Sequence, residues 1–159
     1  MFYASSQSHI ILYDTMDPFN WKLKKQILAQ DVYWTVSDMD VCQNEQYLIY
    51  STLNPIVHMI DLETLSTKTR TLNFSQSERL DDWHRGGAIM SLKFSGDTKE
   101  IVAATKNAEV LVFDLFAGRI CNRVVNAHED EINSVCFANR SHSNLIFTGS
   151  DDSLVKVWD

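Results

Sequence analysis

Val155-Lys156-Val157-Trp158-Asp159 is an alternating apolar stretch sealed by Trp and Asp, and three earlier stretches have the same form. They are Ile10-Ile11-Leu12-Tyr13-Asp14, Val57-His58-Met59-Ile60-Asp61 and Val110-Leu111-Val112-Phe113-Asp114. The closing Asp residues lie 47, 53 and 45 positions apart. A fixed period of this length marks a repeat architecture, in which each unit buries its apolar face only by stacking on its neighbours.

Working outward from each closing strand gives the rest of a unit. In the last unit Ile132 to Phe137 alternates, with Ile132 and Ser134 directed one way and Asn133 and Val135 the other. Leu145 to Thr148 follows, then a turn over Gly149 to Ser153 and the Trp-Asp strand. The unit before it reads Ile89 to Phe94, a Ser95-Gly96-Asp97 turn, Ile101 to Thr105, a Lys106-Asn107 turn and Val110 to Asp114. The preceding one reads Val36 to Val41, Tyr47 to Ser51, an Asn54-Pro55 turn and Val57 to Asp61. Weaker outer strands fall at Leu23 to Ala29, Lys68 to Phe74 and Ile120 to Asn126. No window of about 11 residues carries helical periodicity. The expectation is an all-β chain of short strands.

Ala127-His128-Glu129-Asp130-Glu131-Ile132, followed by Thr148-Gly149-Ser150-Asp151-Asp152 and the closing Trp158-Asp159, resembles a complete WD repeat. The resemblance implies a blade of a β-propeller and a hydrogen-bonded structural tetrad of His128, Thr148, Asp152 and Trp158. A buried Trp N–H and a buried His both need partners, so such a network has to be complete. The earlier units depart from it. They carry Gln7, Asn54 and Asn107 at the Asp position, and Tyr13, Ile60 and Phe113 at the Trp position. Apolar packing is expected to hold them, with Asn54 and Asn107 suited to turns.

The expected fold is a partial β-propeller with two full blades, 37–74 and 89–126, flanked by incomplete ones at 1–29 and 132–159. That reads as a fragment of a larger ring, seven-bladed by resemblance, with unpaired edges and marginal stability on its own.

Three further stretches carry a closer resemblance: Asp31-Val32-Tyr33-Trp34-Thr35-Val36-Ser37-Asp38, Phe94-Ser95-Gly96-Asp97 leading to Val112-Phe113-Asp114, and His128-Glu129-Asp130-Glu131-Ile132-Asn133. In order and spacing they are similar to the family of cullin-four-associated factor eleven and its plant embryo-protein relatives. The likeness runs from about Tyr13 to Asp159. It implies a substrate receptor that docks on the damaged-DNA-binding adaptor of a cullin-RING ubiquitin ligase and presents a target for ubiquitination. Such receptors often carry an Arg two residues after the closing Asp; here those positions hold Met16, Glu63 and Phe116.

Composition reads as globular and soluble rather than disordered. The chain has 159 residues, 45% apolar and 22% charged, with a net charge of −7. An acidic chain whose densest basic cluster is Lys22, Lys24 and Lys25 is not expected to bind nucleic acid, which draws on clustered Lys and Arg. No apolar run approaches the ~20 residues needed to cross a bilayer, and residues 1–9 lack the pattern of a secretory signal. Cys42, Cys121 and Cys136 form no Cys-x-x-Cys pair, so neither a disulfide framework nor a zinc site is expected. Cytoplasmic or nuclear residence follows from that reading. The sequons at Asn73 and Asn139 are then chance matches.

Thr148, His128 and Asp152 have the composition of a catalytic triad, but a nucleophile has to face a cleft beside an oxyanion hole, and these should lie inside a blade. No Gly-rich phosphate cradle occurs among the five glycines. No catalytic, metal or cofactor site and no small-molecule substrate is therefore expected; His9, His58 and His142 read as ordinary surface or strand histidines. Asp81, Asp82, Trp83 and His84 form a cluster in the longest loop, 75–87, without fixed metal-ligand spacing. Tyr33 and Trp34 occupy the equivalent loop one unit earlier. Both loops should open on one face, the candidate partner-binding surface, because aromatics that become buried in an interface dominate its energy; packing of Trp34 and Trp83 between blades is the competing reading. A non-catalytic scaffold of an unrelated complex, in RNA processing or trafficking, stays open, since fold does not fix function.

Overall fold

The computed structural model describes residues 2–5, 8–32, 34–64, 69–75, 87–139 and 142–159. Fourteen strands form four antiparallel sheets, and no helix occurs among the described residues. The first sheet is β1 (Phe2–Ser5), β2 (His9–Asp14) and β3 (Lys22–Leu28). The second is β4 (Asp38–Val41), β5 (Tyr47–Ser51), β6 (Ile56–Asp61) and β7 (Thr69–Asn73), paired in chain order. The third repeats it with β8 (Ile89–Phe94), β9 (Glu100–Thr105), β10 (Val110–Asp114) and β11 (Arg119–Val124). The fourth has β12 (Ile132–Asn139), β13 (His142–Ser150) and β14 (Val155–Trp158). This is a partial WD-type β-propeller: each sheet is a blade, and the innermost strands β4, β8 and β12 stand side by side.

The core lies between blades. Ile10, Leu12 and Ile27 of the first blade pack on Val36, Leu48, Tyr50 and Ile60 of the second. Ile49, Val57 and Leu72 of the second pack on Ile89, Leu92, Ile101 and Phe113 of the third, with the Phe74 and Phe113 rings stacked at 4.9 Å. Val102, Ala104, Val110 and Val112 of the third pack on Ala127, Ile132 and Val135 of the fourth. Alternation along each strand makes this possible, because successive residues serve the two faces of a blade.

Alternation is interrupted by register shifts, two of which fall on the inner strands β8 and β12 near their starts. The register of β12 shifts between Ile132 and Ser134, a β-bulge that turns Val135 to the same side as Ile132. Ile132 and Ser134 therefore do not share a face as alternation predicts. The same shift between Ile89 and Ser91 sends both Ile89 and Leu92 into one interface. Strand limits differ modestly too: Val36 is buried outside β4, and left-handed Asn126 (φ 51°) lies beyond the end of β11 at Val124.

Side chains on the inner strands also reach across. Asp38 Oδ2 accepts from Ser91 Oγ at 2.8 Å, Leu92 N at 3.0 Å and Lys93 Nζ at 2.7 Å. Asp40 Oδ2 accepts from Phe94 N at 2.9 Å, and burial raises the Asp40 pKa against that amide and the nearby Lys93 charge. Ser91 Oγ in turn accepts from Val135 N at 3.3 Å.

Candidate interaction surfaces

Two rims of the blade array are defined by backbone bonds. On the first, connections from an outer strand to the next inner strand meet the middle hairpins: Lys106 N donates to Ala88 O and Ala127 N to Ala108 O, both at 2.8 Å. On the second, inner hairpins meet outer ones: Leu62 N donates to Gln46 O at 2.8 Å and Leu115 N to Lys99 O at 2.9 Å.

The tetrad residues meet at the first rim of the last blade. Trp158 Nε1 donates to Thr148 Oγ1 at 2.9 Å, and Thr148 Oγ1 lies 2.7 Å from His128 Nε2. His128 Nδ1 lies 2.8 Å from Asp152 Oδ2. With His128 neutral, the chain closes as Trp158 to Thr148, Thr148 to His128 Nε2, and His128 Nδ1–H to Asp152. Burial alone would raise the Asp152 pKa. Bonds from the Glu129 amide, His128 and the Leu154 amide outweigh it and hold the carboxyl down to about 2. Thr148 Oγ1 is buried and occupied on both sides, which ties loop, strand and turn together.

The second blade solves the same problem differently. Tyr50 stands at the register position of Thr148, and its hydroxyl accepts from Gln30 N at 2.9 Å. Thr52 Oγ1 and Asn54 Nδ2 donate to the Asp31 carbonyl at 2.9 and 3.3 Å, and Asn54 Oδ1 caps the Ile56 amide at 2.8 Å. These bonds root the connection that carries Trp34, whose side chain is 74% exposed. Trp34 therefore does not pack between blades. Tyr33 and the cluster of Asp81, Asp82, Trp83 and His84 lie outside the described residues.

His58 is a strand histidine, and a buried one. It is fully buried on β6 with no hydrogen bond to either ring nitrogen, stacked on Tyr50 at 4.8 Å and with Nε2 3.4 Å from Asp31 Oδ2. Burial lowers its pKa, and the Asp31 charge opposes the shift.

Sequence reasoning missed the apolar display on the second rim. The first three closing Asp residues each accept from the amide two residues on: Asp14 from Met16 at 3.0 Å, Asp61 from Glu63 at 2.9 Å and Asp114 from Phe116 at 2.8 Å. The turn points residue i+2 outward, so Met16 and Phe116 are almost fully exposed, joined by Phe19 and half-exposed Trp21. The signal was present as apolar residues directly after a closing Asp, where no strand alternation remains to bury them. Among the described residues no group of three or more His, Cys, Asp or Glu is placed to hold a metal, and no helix is long and apolar enough to cross a membrane.

Comparison with known proteins agrees with this architecture. The family model described as WD domain, G-beta repeat matches residues 119–159. LEC14B protein of Lithospermum erythrorhizon is 38% identical over 168 aligned residues, covering 100% of this chain and 34% of that protein. A DDB1- and CUL4-associated factor 11 homolog of Caenorhabditis elegans is 31% identical, covering 98% of this chain and 28% of its own length. The Caenorhabditis briggsae homolog is 45% identical over 84 residues, covering 49% of this chain and 15% of that protein. The chain spans about a third of the length of LEC14B, and less of the other relatives.

Proposed function

As the chain belongs to the WD-repeat β-propeller proteins, we propose that it acts by binding proteins, as part of a substrate receptor for a CUL4-type ubiquitin ligase docked through DDB1. The observation that carries this is the likeness along 98% of the chain to a protein named as a DDB1- and CUL4-associated factor. The two rims give the reading a geometry. The first, with exposed Trp34, is suited to a target. The second, with Met16, Phe19 and Phe116, offers apolar anchors to an adaptor, since large apolar side chains supply most interface energy. An adaptor seated there meets Met16 and Phe116 in place of Arg, so apolar contact replaces a charge-assisted bond at those two positions, while Glu63 offers a carboxylate at the third. No catalytic step is assigned to the chain, and neither nucleic acid nor membrane is a proposed partner of this acidic surface. Three free thiols accord with residence in the cytoplasm or nucleus.

The test is binding of the chain to purified DDB1, with M16E/F116E and W34A variants whose fold is checked by circular dichroism. Retained binding in W34A and loss in M16E/F116E supports adaptor docking on the second rim. Binding untouched by M16E/F116E moves the dock elsewhere. Absence of binding, both for the chain and for a longer polypeptide containing it, leaves an interaction scaffold of another complex.

A further inference from the structure

We propose that His58 is a proton-operated latch: uncharged, it lets the connection of residues 29–37 close over it, and protonated, it releases that segment together with Trp34. The proposal rests on the packing of the second blade and is independent of the ligase reading.

The His58 ring is fully buried, and neither nitrogen has a hydrogen-bond partner. Tyr50 stacks on it at 4.8 Å, and the Tyr50 hydroxyl accepts from Gln30 N at 2.9 Å. Asp31, the next residue, sets Oδ2 3.4 Å from His58 Nε2 without forming a hydrogen bond. Ala29 and Val36, near the two ends of the connection, belong to the same buried cluster as Tyr50. The connection therefore closes over the imidazole, held by the Gln30 amide and by the Thr52 and Asn54 bonds to the Asp31 carbonyl. The same register position faces the connection of the fourth blade, where Lys156 Nζ bonds the Ala127 carbonyl at 2.7 Å. That cation has an acceptor in place. His58, stacked on Tyr50, has none aligned with its ring nitrogens.

A neutral imidazole tolerates such a site, since it leaves one donor and one acceptor unpaired. An imidazolium there leaves a charge and two donors without water, at far greater cost. Burial accordingly lowers the His58 pKa, and the Asp31 charge opposes the shift without cancelling it. The neighbours of His58 on its face of the sheet are Tyr50, Met39 and Thr71, and burial raises the Tyr50 pKa and keeps the phenol uncharged. The first blade brings apolar Ile10, Leu12 and Ile27 to that face. Its charged groups there, Asp14, Lys22 and Lys25, lie toward the second rim, where Lys25 bonds the Thr64 carbonyl at 3.1 Å. Among the described residues Asp31 is thus the charge that acts on His58. Below the ordinary pKa of 6.5, the open connection binds more protons than the closed one. Acidification then favours opening, by up to about tenfold per pH unit, until the closed form titrates as well. Because the connection fixes Trp34 on the first rim, acid also unfixes that side chain.

The test is hydrogen exchange at the Gln30 amide by NMR, each rate referred to the intrinsic rate at the same pH. Protection should fall several-fold, with a ceiling of about tenfold, between about pH 7.5 and about pH 5.5, while the Val102 amide in β9 keeps its protection. His58→Phe keeps a stacked ring without a titratable group and should make Gln30 protection independent of pH. Asp31→Asn suits the left-handed backbone there (φ 53°), removes the opposing charge and should carry the fall to lower pH. Protection at Gln30 that holds or rises on acidification overturns the latch, a rise meaning that His58 and Asp31 pair when both are charged. A matching fall at Val102 assigns the loss to the whole fold and overturns it too, as does a fall that survives in His58→Phe. Should His58→Phe not fold, an Asp31→Asn profile identical to that of the parent overturns the proposal.

Discussion

Asp152 serves His128, the Glu129 amide and the Leu154 amide with one carboxylate, so its ionisation is coupled to folding. Its folded pKa, about 2, lies below the ordinary 3.8, and the ionised group therefore stabilises the fold fully above roughly pH 4. That contribution is lost as pH falls toward 2. Asp152→Asn removes this dependence: the difference in unfolding midpoint between parent and variant should shrink steadily between roughly pH 4 and 2 in denaturant titrations. A constant difference over that range would show that Asp152 is not ionised in the fold as described. At this scale the tetrad was legible through the likeness of the last unit to a WD repeat, which names four residues that satisfy one another. The burial of His58 was not legible: its strand pattern matches that of Lys156, which reaches out to bond the Ala127 carbonyl at 2.7 Å. What separates them is the Tyr50 ring and the Asp31 carboxylate brought in from other segments.

At the scale of elements, turns and inter-blade bonds carry consequences of their own. The β8–β9 turn places Thr98 in the left-handed region at φ 60°, although Gly96 stands two residues earlier. A β-branched residue is strained there, so Thr98→Gly should raise stability by up to about 1 kcal/mol, read from the shift in urea midpoint at unchanged slope. In the β5–β6 turn the left-handed residue is Leu53, because Pro55 holds its own φ near −65° while the β9–β10 turn uses Ala108 at the equivalent place. Asp38→Ala withdraws one acceptor from Ser91, Leu92 and Lys93 together, and is expected to cost about 1–3 kcal/mol in the same measurement. A loss below a few tenths would mean that water replaces the carboxylate at no cost. Strand existence was legible from alternation, whereas the bulges of β8 and β12 were not. Alternation counts residues along one strand, and a bulge is defined by the partner strand.

For the whole molecule, the consequence is an array of sheets whose apolar faces are covered in order by the following blade. Replacing Val155 and Val157 together by Lys should reduce concentration-dependent association of the 159-residue chain in sedimentation velocity, with the strand signal in circular dichroism unchanged. Unchanged association would place the contact at another edge. The sequence by itself determined the repeat, its period and the all-β class, since these follow from local alternation, and its likeness to a WD repeat supplied the tetrad. Only the tertiary structure decided which faces are covered, that Trp34 is exposed, that Met16 and Phe116 crown one rim, and that Ser91 bridges two blades. The reason is physical: strand periodicity assigns a side chain to a face of its sheet, but burial belongs to the pair of sheets, and only packing brings the second one.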